Sequence, residues 1–359
     1  MSDHRPRLFI PGPTEVFPEI LAALAQPVIS HRGPEIAEVT RDVFEKLGFL
    51  FRTRHECFVA LSAATGLMES AVRNLVGKRL LVAVCGAFSE RMYKVAQKNG
   101  VPCDALEVEW GRHVSPAAIE EALATGKYDV VAVVHSETST GVLNPIAEIG
   151  EVVRRHEDVL LVSDVVSSLG GARFEMDEWG VDLAFAGTQK CIALPPGLCV
   201  FAVSPRAMTR CESRPDRGHY FDFMNFRKMA EKGQSPATIN TSMMVALRLQ
   251  LHRMVAETME HRWKRHQAMA DLVRTRLGDR FALFPENDFM TPSETVYGAP
   301  EGLDVAALVA AVREKGKLFG DGYGILKGRT FRIGHMGDLQ VEHVAEFLEV
   351  FEATLADMS

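Results

Sequence analysis

Short apolar segments alternate with longer amphipathic segments through the first half of this chain. The short segments have the length of β-strands, and the longer ones have apolar residues at steps of three and four, as helices with one buried face do. Strands that are apolar throughout are typical of a parallel sheet that helices cover on both faces. The predicted strands are residues 57–61, 80–85, 105–108, 130–135, 159–163 and 183–187, and the predicted helices are 35–51, 66–76, 89–99, 116–124 and 146–156.

The pattern changes in the second half of the chain. Residues 199–203 predict one more strand, with an antiparallel orientation possible, and the polar, aromatic segment 206–236 is predicted to be a long loop with a functional or interfacial role. A long helix with one possible break is predicted next, followed by shorter elements: helix 242–277, strands 281–284, 295–297 and 330–333, and helices 305–314 and 341–355.

These elements predict an α/β fold class. The expected architecture is a large domain, in which helices sandwich a mainly parallel sheet of seven strands, and a smaller C-terminal α+β domain. The predicted domain bounds are 1–34 for an N-terminal arm, 35–254 for the large domain and 255–359 for the small domain.

Charge and cysteine patterns exclude several classes of function. Lys and Arg number 40 against 47 Asp and Glu, a net charge of −7 without long runs of either sign, so neither nucleic acid nor an anionic membrane is an expected partner. No uncharged run approaches the ~20 residues of a membrane helix, and the first residues lack the apolar stretch of a signal peptide.

The cysteines form no CxxC pair and no His-Cys metal spacing, so we expect reduced core thiols, no metal and a cytoplasmic protein. They are Cys57, Cys85, Cys103, Cys191, Cys199 and Cys211.

A lysine follows the last of the predicted parallel strands. Lys190 ends the sequence GTQK, directly after strand 183–187 and before a turn that contains PPG. An amine at the end of a buried strand is poorly hydrated, which lowers its pKa and favours a nucleophile able to form a Schiff base. The other interpretation is a structural lysine whose stem is buried and whose amine reaches water. The tetrapeptide leaves both interpretations open.

An aspartate ends another apolar run. Asp164 follows residues 159–163, at the carboxyl end of a predicted parallel strand. Open α/β sheets bind their ligands at this end, and a carboxylate there can hold a ring nitrogen in its protonated form. Asp164 is equally consistent with an N-cap of a helix in the segment that follows.

Two further polar segments follow predicted strands. Residues 61–66, with the sequence LSAATG, place small residues and Thr65 ahead of a helix, where backbone N–H groups can approach a phosphate; a plain N-cap Ser or Thr is the alternative. Residues 135–141, with the sequence HSETSTG, are either a capping turn or a set of donors that face a ligand. The chain has no GxGxxG or GxxxxGK[ST] motif, so dinucleotide and P-loop sites lack their signature.

All four segments lie at the carboxyl ends of apolar strands. Together they provide a phosphate loop, ring contacts, a buried acid and a lysine, which are the groups that pyridoxal phosphate requires. Here the chain resembles the class V aminotransferases of fold type I, and within them the alanine/serine–glyoxylate aminotransferase group. The resemblance extends over almost the whole chain and rests on PGPTEVFPEIL, SHRGPE, SETSTGVLNP, SDVVSSLGG, GTQK followed by PPG, and FRIGHMG.

The resemblance implies roles for the matching residues. Lys190 is the catalytic lysine that binds the cofactor covalently and then moves a proton, and Asp164 pairs with the pyridinium nitrogen. Val166 and Phe88 contact the two ring faces, although many relatives have Trp in place of Phe88, and a plain core Phe is the alternative there. The implied cofactor-binding residues are Ala63, Ala64, Thr65, Phe88, Thr138, Asp164, Val166, Gln189, Lys190 and Thr238.

Some of these positions depart from the family's pattern or depend on a second subunit. The usual Ser-Gly-Thr/His phosphate loop is replaced by Ala63, Ala64 and Thr65, so backbone N–H groups, Thr65 and Gln189 carry more of the phosphate. Thr138 matches a hydroxyl residue near the cofactor's phenolic oxygen. Thr238 matches a residue that reaches the phosphate from the neighbouring subunit, which implies a homodimer with shared sites.

The implied activity is transfer of an amino group from a small L-amino acid, such as alanine or serine, to a 2-oxo acid, glyoxylate or pyruvate. Arg332 matches the arginine that binds the substrate α-carboxylate, and a surface arginine is the alternative. Transamination of phosphoserine or aspartate would need further cations, for which His31, Arg32 and His335 are candidates.

Two other functions have less support from the sequence. A cysteine desulfurase is disfavoured because no Cys lies in a recognisable mobile catalytic loop. A non-catalytic dimeric relative is disfavoured because both Lys190 and Asp164 are present.

Overall fold

The computed structural model describes residues 5–358, so the first four residues of the predicted arm and the last residue of the predicted small domain lie outside it. The strands are β1 (Arg7–Phe9), β2 (Glu56–Leu61), β3 (Leu80–Val84), β4 (Cys103–Glu107), β5 (Val130–Val134), β6 (Ser136–Glu137), β7 (Val142–Leu143), β8 (Leu160–Asp164), β9 (Leu183–Gly187), β10 (Leu198–Val203), β11 (Glu294–Gly298), β12 (Lys317–Asp321) and β13 (Thr330–Gly334). The α-helices are α1 (Pro18–Leu24), α2 (Pro34–Phe51), α3 (Ala64–Leu75), α4 (Ala87–Lys98), α5 (Pro116–Leu123), α6 (Ile146–Val153), α7 (Met176–Trp179), α8 (Pro205–Glu212), α9 (Phe223–Ala230), α10 (Thr241–Glu257), α11 (Met259–Leu277), α12 (Val305–Glu314) and α13 (Val341–Met358).

A seven-stranded sheet confirms the predicted α/β class. Its strands lie in the order β2-β10-β9-β8-β5-β3-β4, and β9, β8, β5, β3 and β4 pair in parallel. β10 is antiparallel to both β9 and β2, which settles the orientation that the sequence left open. The central strands are buried along their whole length because apolar clusters that include helical side chains pack on both faces of the sheet.

A second sheet, in the order β1-β12-β13-β11, packs against α11, α12 and α13. Its core includes Val273, Leu308 and Phe347 from these helices. β1 pairs in parallel with β12, so the predicted N-terminal arm supplies the edge strand of this sheet. α10 packs on α1 and α2, whereas α11 packs on β11 and α13. The domain bounds 35–254 and 255–359 stay a prediction.

Several predicted elements differ from the structure. Segment 206–236 is not one long loop, because it contains most of α8 and all of α9, whose N-caps are Ser204 and Asp222. Only a few apolar residues of these helices are buried, so charged neighbours hide their helical period in the sequence. Residues 281–284 form no strand, and Leu283 makes a single bridge to Tyr297. The sequence does not predict β12, in which Phe319 is the one buried residue.

The remaining predicted elements are confirmed, and their ends shift by at most three residues. The predicted break in helix 242–277 lies at Thr258, whose φ of +64° separates α10 from α11. All six cysteines are free and five are buried, as expected of reduced core thiols. Within residues 5–358, no helix has the length and apolar character needed to cross a membrane. The same part of the chain brings no three His, Cys, Asp or Glu side chains together as a metal site would require.

Candidate active site

The carboxyl ends of β5, β8 and β9 meet the start of α3 at a cavity of about 130 Å³ that opens to solvent. Eight of the predicted site residues line it: Ala63, Ala64, Thr65, Phe88, Asp164, Val166, Gln189 and Lys190. Of the other lining residues, Ser136 belongs to segment 135–141, and the sequence analysis assigns no role to Met68, Arg91, Val134 and Ser167. A wider cleft beside Trp263 and Lys264 contains none of the predicted residues. The smaller cavity is therefore the candidate active site.

Lys190 lies in the turn after β9, and its side chain points into the protein. The residue is only 9% exposed, and Nζ donates a hydrogen bond to the carbonyl of Pro11. Nζ also lies 5.9 Å from the centroid of the Phe88 ring. Burial lowers the pKa of the Lys190 amine, because the ammonium loses its hydration. Of the two interpretations that the sequence allows, the structure supports the buried, poorly hydrated amine.

The N-terminal segment and Gly12 shape the space around this lysine. Thr14 Oγ1 donates a 3.0 Å hydrogen bond to the carbonyl of Lys190. Gly12 has a φ of +84°, and a Cβ at this position would lie 2.6 Å from Lys190 Cδ. Any other residue at position 12 would strain the backbone and press on the lysine stem.

Arg262 of α11 holds the turn that follows Lys190. Its buried guanidinium donates a 2.6 Å hydrogen bond to the carbonyl of Cys191. Glu257, at 2.6 Å, and Asp338, at 2.9 Å, balance its charge. These ion pairs hold Arg262 in place, because removing the arginine or its acidic partners would leave a buried charge unpaired.

Asp164 ends β8 and lines the same cavity. Its Oδ1 accepts a 2.9 Å hydrogen bond from the N–H of Val166 in a turn, and the next helix begins only at Met176, so Asp164 is not a helix N-cap. Burial raises the pKa of this carboxyl to about 7, and the positive charges of Lys190 and Arg91 oppose that rise. A cationic group bound beside Asp164 would stabilise its carboxylate form.

The start of α3 forms one side of the cavity. Its N-cap is Ala63, which has no side chain to accept hydrogen bonds from the first turn. The predicted alternative of a Ser or Thr N-cap is therefore not realised. Backbone N–H groups and the positive end of this 12-residue helix face the cavity, together with Thr65 and Gln189.

Phe88 is held at the start of α4 by the carboxylate of Glu137. This carboxylate accepts hydrogen bonds from the backbone N–H of Phe88 at 3.1 Å and of Ser89 at 2.9 Å. A Cβ on Gly86 would lie 2.5 Å from Glu137 Cγ, so only glycine leaves room for this contact. In segment 135–141, Glu137 thus caps α4, and Ser136 lines the cavity, where a role toward a ligand stays a prediction.

Arg332 lies on β13 beside the cavity, and it is not among the lining residues. Its Nε donates to the carbonyl of Asp321 at 2.9 Å, and its Nη1 donates to the carbonyl of Thr138 at 3.3 Å. Burial lowers the pKa of this guanidinium, and the charge of Glu294 opposes that change. The half-buried position is unlike that of a surface arginine.

Two predicted cofactor-binding residues lie outside the cavity lining. Thr138 is buried and its carbonyl contacts Arg332, whereas Ser136, two residues earlier, faces the cavity. Thr238 is exposed between α9 and α10. Their roles toward a cofactor stay predictions.

The three candidates for binding a second anionic group also lie outside the lining. Arg32 donates a 2.8 Å hydrogen bond to Gln234, and His31 precedes it. His335 is fully buried and hydrogen-bonded to Thr295 at 3.0 Å. Burial lowers the pKa of His335 to about 3, so this imidazole is neutral at physiological pH and supplies no positive charge.

Glu294 is a residue of this region that the sequence analysis does not identify. It begins β11, is fully buried, and has no hydrogen-bond partner on either carboxyl oxygen. It pairs with Gly334, two residues from Arg332 on β13, so Glu294 and Arg332 project from the same face of the sheet. Burial raises the pKa of Glu294 to about 8, and the charges of Arg332 and Lys190 oppose the rise. The sequence feature that could have identified Glu294 is the position of an acidic residue at the start of an apolar strand.

Comparisons with known proteins match nearly the whole chain. The family model described as aminotransferase class-V matches residues 20–283. An uncharacterized aminotransferase of Methanocaldococcus jannaschii is 36% identical over 360 residues, which cover 98% of this chain and 93% of that protein. The L-aspartate–glyoxylate aminotransferase of Paracoccus denitrificans is 32% identical over 371 residues, which cover 100% of this chain and 93% of that protein. The crystal structure of an alanine–glyoxylate aminotransferase from Nostoc sp. has a TM-score of 0.93 and 29% identity, and the match covers 98% of this chain and 95% of that chain.

Proposed function

Since this chain belongs to the class-V aminotransferases, we propose that it uses pyridoxal phosphate to transfer an amino group from a small L-amino acid to a 2-oxo acid. The proposed donors are alanine or serine, and the proposed acceptors are glyoxylate or pyruvate. The observation that carries this proposal is that Lys190, Asp164 and the start of α3 surround one cavity.

The residues of the cavity fit pyridoxal phosphate. The cofactor needs an amine for its aldehyde, an anion for its protonated ring nitrogen and donors for its phosphate. Lys190 offers a buried amine, and Asp164 offers a carboxyl whose negative charge a ring N–H would stabilise. The first turn of α3 offers backbone N–H groups that no side chain caps. When bound, the cofactor supplies a carbon that binds the substrate nitrogen and a ring that takes up the electron pair from Cα.

Lys190 moves the proton in the proposed reaction. With the cofactor and substrate bound, Lys190 Nζ would accept the proton from the substrate Cα and hold it for return later in the reaction. A lowered amine pKa favours this step, because Nζ must be neutral to accept a proton. Asp164 keeps the ring nitrogen protonated, and Phe88 and Val166 hold the ring between them.

Arg332 orients both substrates. An amino acid and a 2-oxo acid share a carboxylate next to the reacting carbon, and a planar guanidinium can bind both oxygens of that carboxylate. The hydrogen bonds to the carbonyls of Asp321 and Thr138 hold Arg332 in place. One fixed arginine can therefore serve both half-reactions.

Aspartate or phosphoserine as donor is the alternative on the same scaffold, and aspartate is named as a substrate of the relative from P. denitrificans. A second acidic group in the donor needs a second cation at the cavity. Arg91 lines the cavity, whereas the neutral, buried His335 cannot contribute charge. A non-catalytic dimeric protein is the second alternative, and it gives no role to the buried side chains of Lys190 and Asp164 that line the same cavity.

A panel of donors and acceptors tests the proposed function. Alanine, serine, aspartate and phosphoserine are each paired with glyoxylate, pyruvate and 2-oxoglutarate, and kcat/KM is measured for every pair. We expect the highest values for alanine or serine with glyoxylate or pyruvate, and a visible absorbance of bound cofactor that the donor changes. Highest values for aspartate or phosphoserine would select the alternative donor. Absence of both transfer and bound cofactor would reject the proposal.

We further propose a homodimer in which Thr238 of one subunit binds the phosphate in the other. Thr238→Ala should then weaken pyridoxal phosphate binding about 10- to 150-fold in equilibrium dialysis, because a hydrogen bond to a charged group contributes about 1.5–3 kcal/mol. Thr209→Ala, at another exposed threonine, is the control and should bind normally. If sedimentation showed a monomer and that monomer had full transfer activity, the shared site would be contradicted.

A cytoplasmic location is also part of the proposal. It rests on the six free cysteines, which suit a reducing compartment.

A further inference from the structure

Tyr323, in the loop after β12, does not line the cavity but contacts Phe88 and Arg91, which do, and Arg332 beside it. Its ring stacks on Phe88 with a centroid distance of 5.3 Å and an angle of 19° between the planes. Its hydroxyl accepts a 3.0 Å hydrogen bond from Arg91 Nη2. Arg332 also contacts this ring, because its guanidinium carbon lies 5.5 Å from the Tyr323 ring centroid. Three contacts thus fix the position of one ring that is 36% exposed to solvent.

These contacts place Tyr323 next to the position of the substrate in the proposed function. The α-carboxylate binds Arg332, and the Cα must come within reach of Lys190 Nζ, which lies 5.9 Å from the Phe88 ring centroid. Arg332 and Phe88 both contact Tyr323, so the ring extends between the two groups that define the substrate's position. Because the ring is partly exposed, it lies between these two groups and the solvent.

We propose that Tyr323 is a specificity-determining residue that limits this site to amino donors with short side chains. The inference rests on the proposed function and deepens it, because it names the residue that selects among donors. Alanine or serine leaves the ring in place. A longer side chain must displace the ring, which then loses Phe88, Arg332 and the hydrogen bond from Arg91.

Arg91 acts as a positioning residue for this ring. Its guanidinium lies 4.9 Å from the centroid of the Phe88 ring while it donates to the Tyr323 hydroxyl. Arg91 therefore holds the two stacked rings together from the α4 side. Because the contact is a single hydrogen bond, its loss should loosen the ring less than removal of the ring itself.

Tyr323→Ala tests the proposal. We expect the ratio of kcat/KM for leucine to kcat/KM for alanine to rise about 10-fold or more, since steric selection among apolar side chains is worth about 10- to 200-fold per methylene. The affinity for 4-methylpentanoate relative to propanoate, titrated through the absorbance of the bound cofactor, should rise in parallel. Ile325→Ala is the control, because Ile325 is in the same loop and 66% exposed, and its ratio should equal that of the parent.

The outcomes separate this inference from the proposed function. A parent enzyme that transfers nitrogen from alanine, with the same leucine-to-alanine ratio in Tyr323→Ala, would overturn the role of Tyr323 alone. A parent without transfer from any donor would overturn the proposed function instead. If Tyr323→Ala does not fold, Tyr323→Leu provides the same comparison, because leucine is smaller than tyrosine but still leaves an apolar side chain to pack on Phe88. Tyr323→Phe removes only the hydrogen bond from Arg91. A rise in the leucine-to-alanine ratio smaller than that of Tyr323→Ala supports the positioning role of Arg91, and an unchanged ratio rejects it.

Discussion

Lys190→Ala is expected to lower the kcat of amino transfer by about 10²- to 10⁴-fold from the loss of proton transfer alone. The change removes the amine that binds the cofactor and the only nitrogen that the proposed reaction uses to move the Cα proton. The buried position of Nζ against the Pro11 carbonyl makes replacement by water inefficient. Steady-state kinetics with saturating cofactor measure the loss, and the absorbance of the bound cofactor reports the change in its attachment.

Two controls distinguish chemistry from folding in this experiment. Lys327→Ala removes an exposed lysine and should keep parent activity. Added methylamine should restore part of the activity of Lys190→Ala, because a small amine can enter the space that the side chain leaves. Circular dichroism and thermal unfolding should show the parent fold. Turnover of Lys190→Ala at the parent rate would reject Lys190 as the catalytic residue.

Arg332→Ala is expected to lower kcat/KM about 30- to 1000-fold for the amino donor and the oxo acid alike. Its loss leaves the substrate carboxylate without its charged partner, which costs about 2–4 kcal/mol, and each ~1.4 kcal/mol corresponds to one factor of ten. Bound cofactor should be retained, because Arg332 does not line the cofactor cavity. Kinetics with each substrate varied in turn, together with cofactor absorbance, check both expectations.

Arg332→Lys and Arg329→Ala are the matched variants for this test. Lysine keeps the positive charge that acts on Glu294 but loses the planar, two-point contact, so an intermediate loss is expected. Arg329 is exposed three residues earlier, and its replacement should leave kcat/KM unchanged. Loss of cofactor alone in Arg332→Ala, or equal turnover of amines that lack a carboxylate, would show that Arg332 is not the carboxylate anchor.

The large sheet and the proposed catalytic pair, Asp164 and Lys190, could be predicted from local patterns. A buried parallel strand is apolar throughout, and each strand is separated from the next by one helix, so the runs at β5, β8 and β9 stand out in the sequence. Parallel strands end at the same edge of their sheet. Residues that directly follow them, such as Asp164 and Lys190, must therefore lie near one another whatever the details of packing.

Elements with weak or mixed patterns needed the tertiary structure. β12 has one buried residue and exists because β1 and β13 pair with it from distant parts of the chain. The helices α8 and α9 bury few side chains, so their polar surfaces resemble a loop in the sequence. The antiparallel orientation of β10 depends on the chain path between β9 and β10, which apolar character alone does not specify.

Contacts between residues that are far apart in the sequence shape the region of the cavity and set the hydration of its charged side chains. Lys190 meets Pro11, 179 positions away in the sequence, and Tyr323 reaches Phe88 and Arg91 from the other sheet. The raised pKa of Glu294 follows from its burial at the start of β11. No local sequence pattern encodes how two sheets are placed against each other, because that placement is set by the combined packing of their cores. The residue types of Asp164 and Lys190 can thus be read from the chain, whereas their hydration, their electrostatic partners and the shape of the cavity arise only when the two sheets pack together.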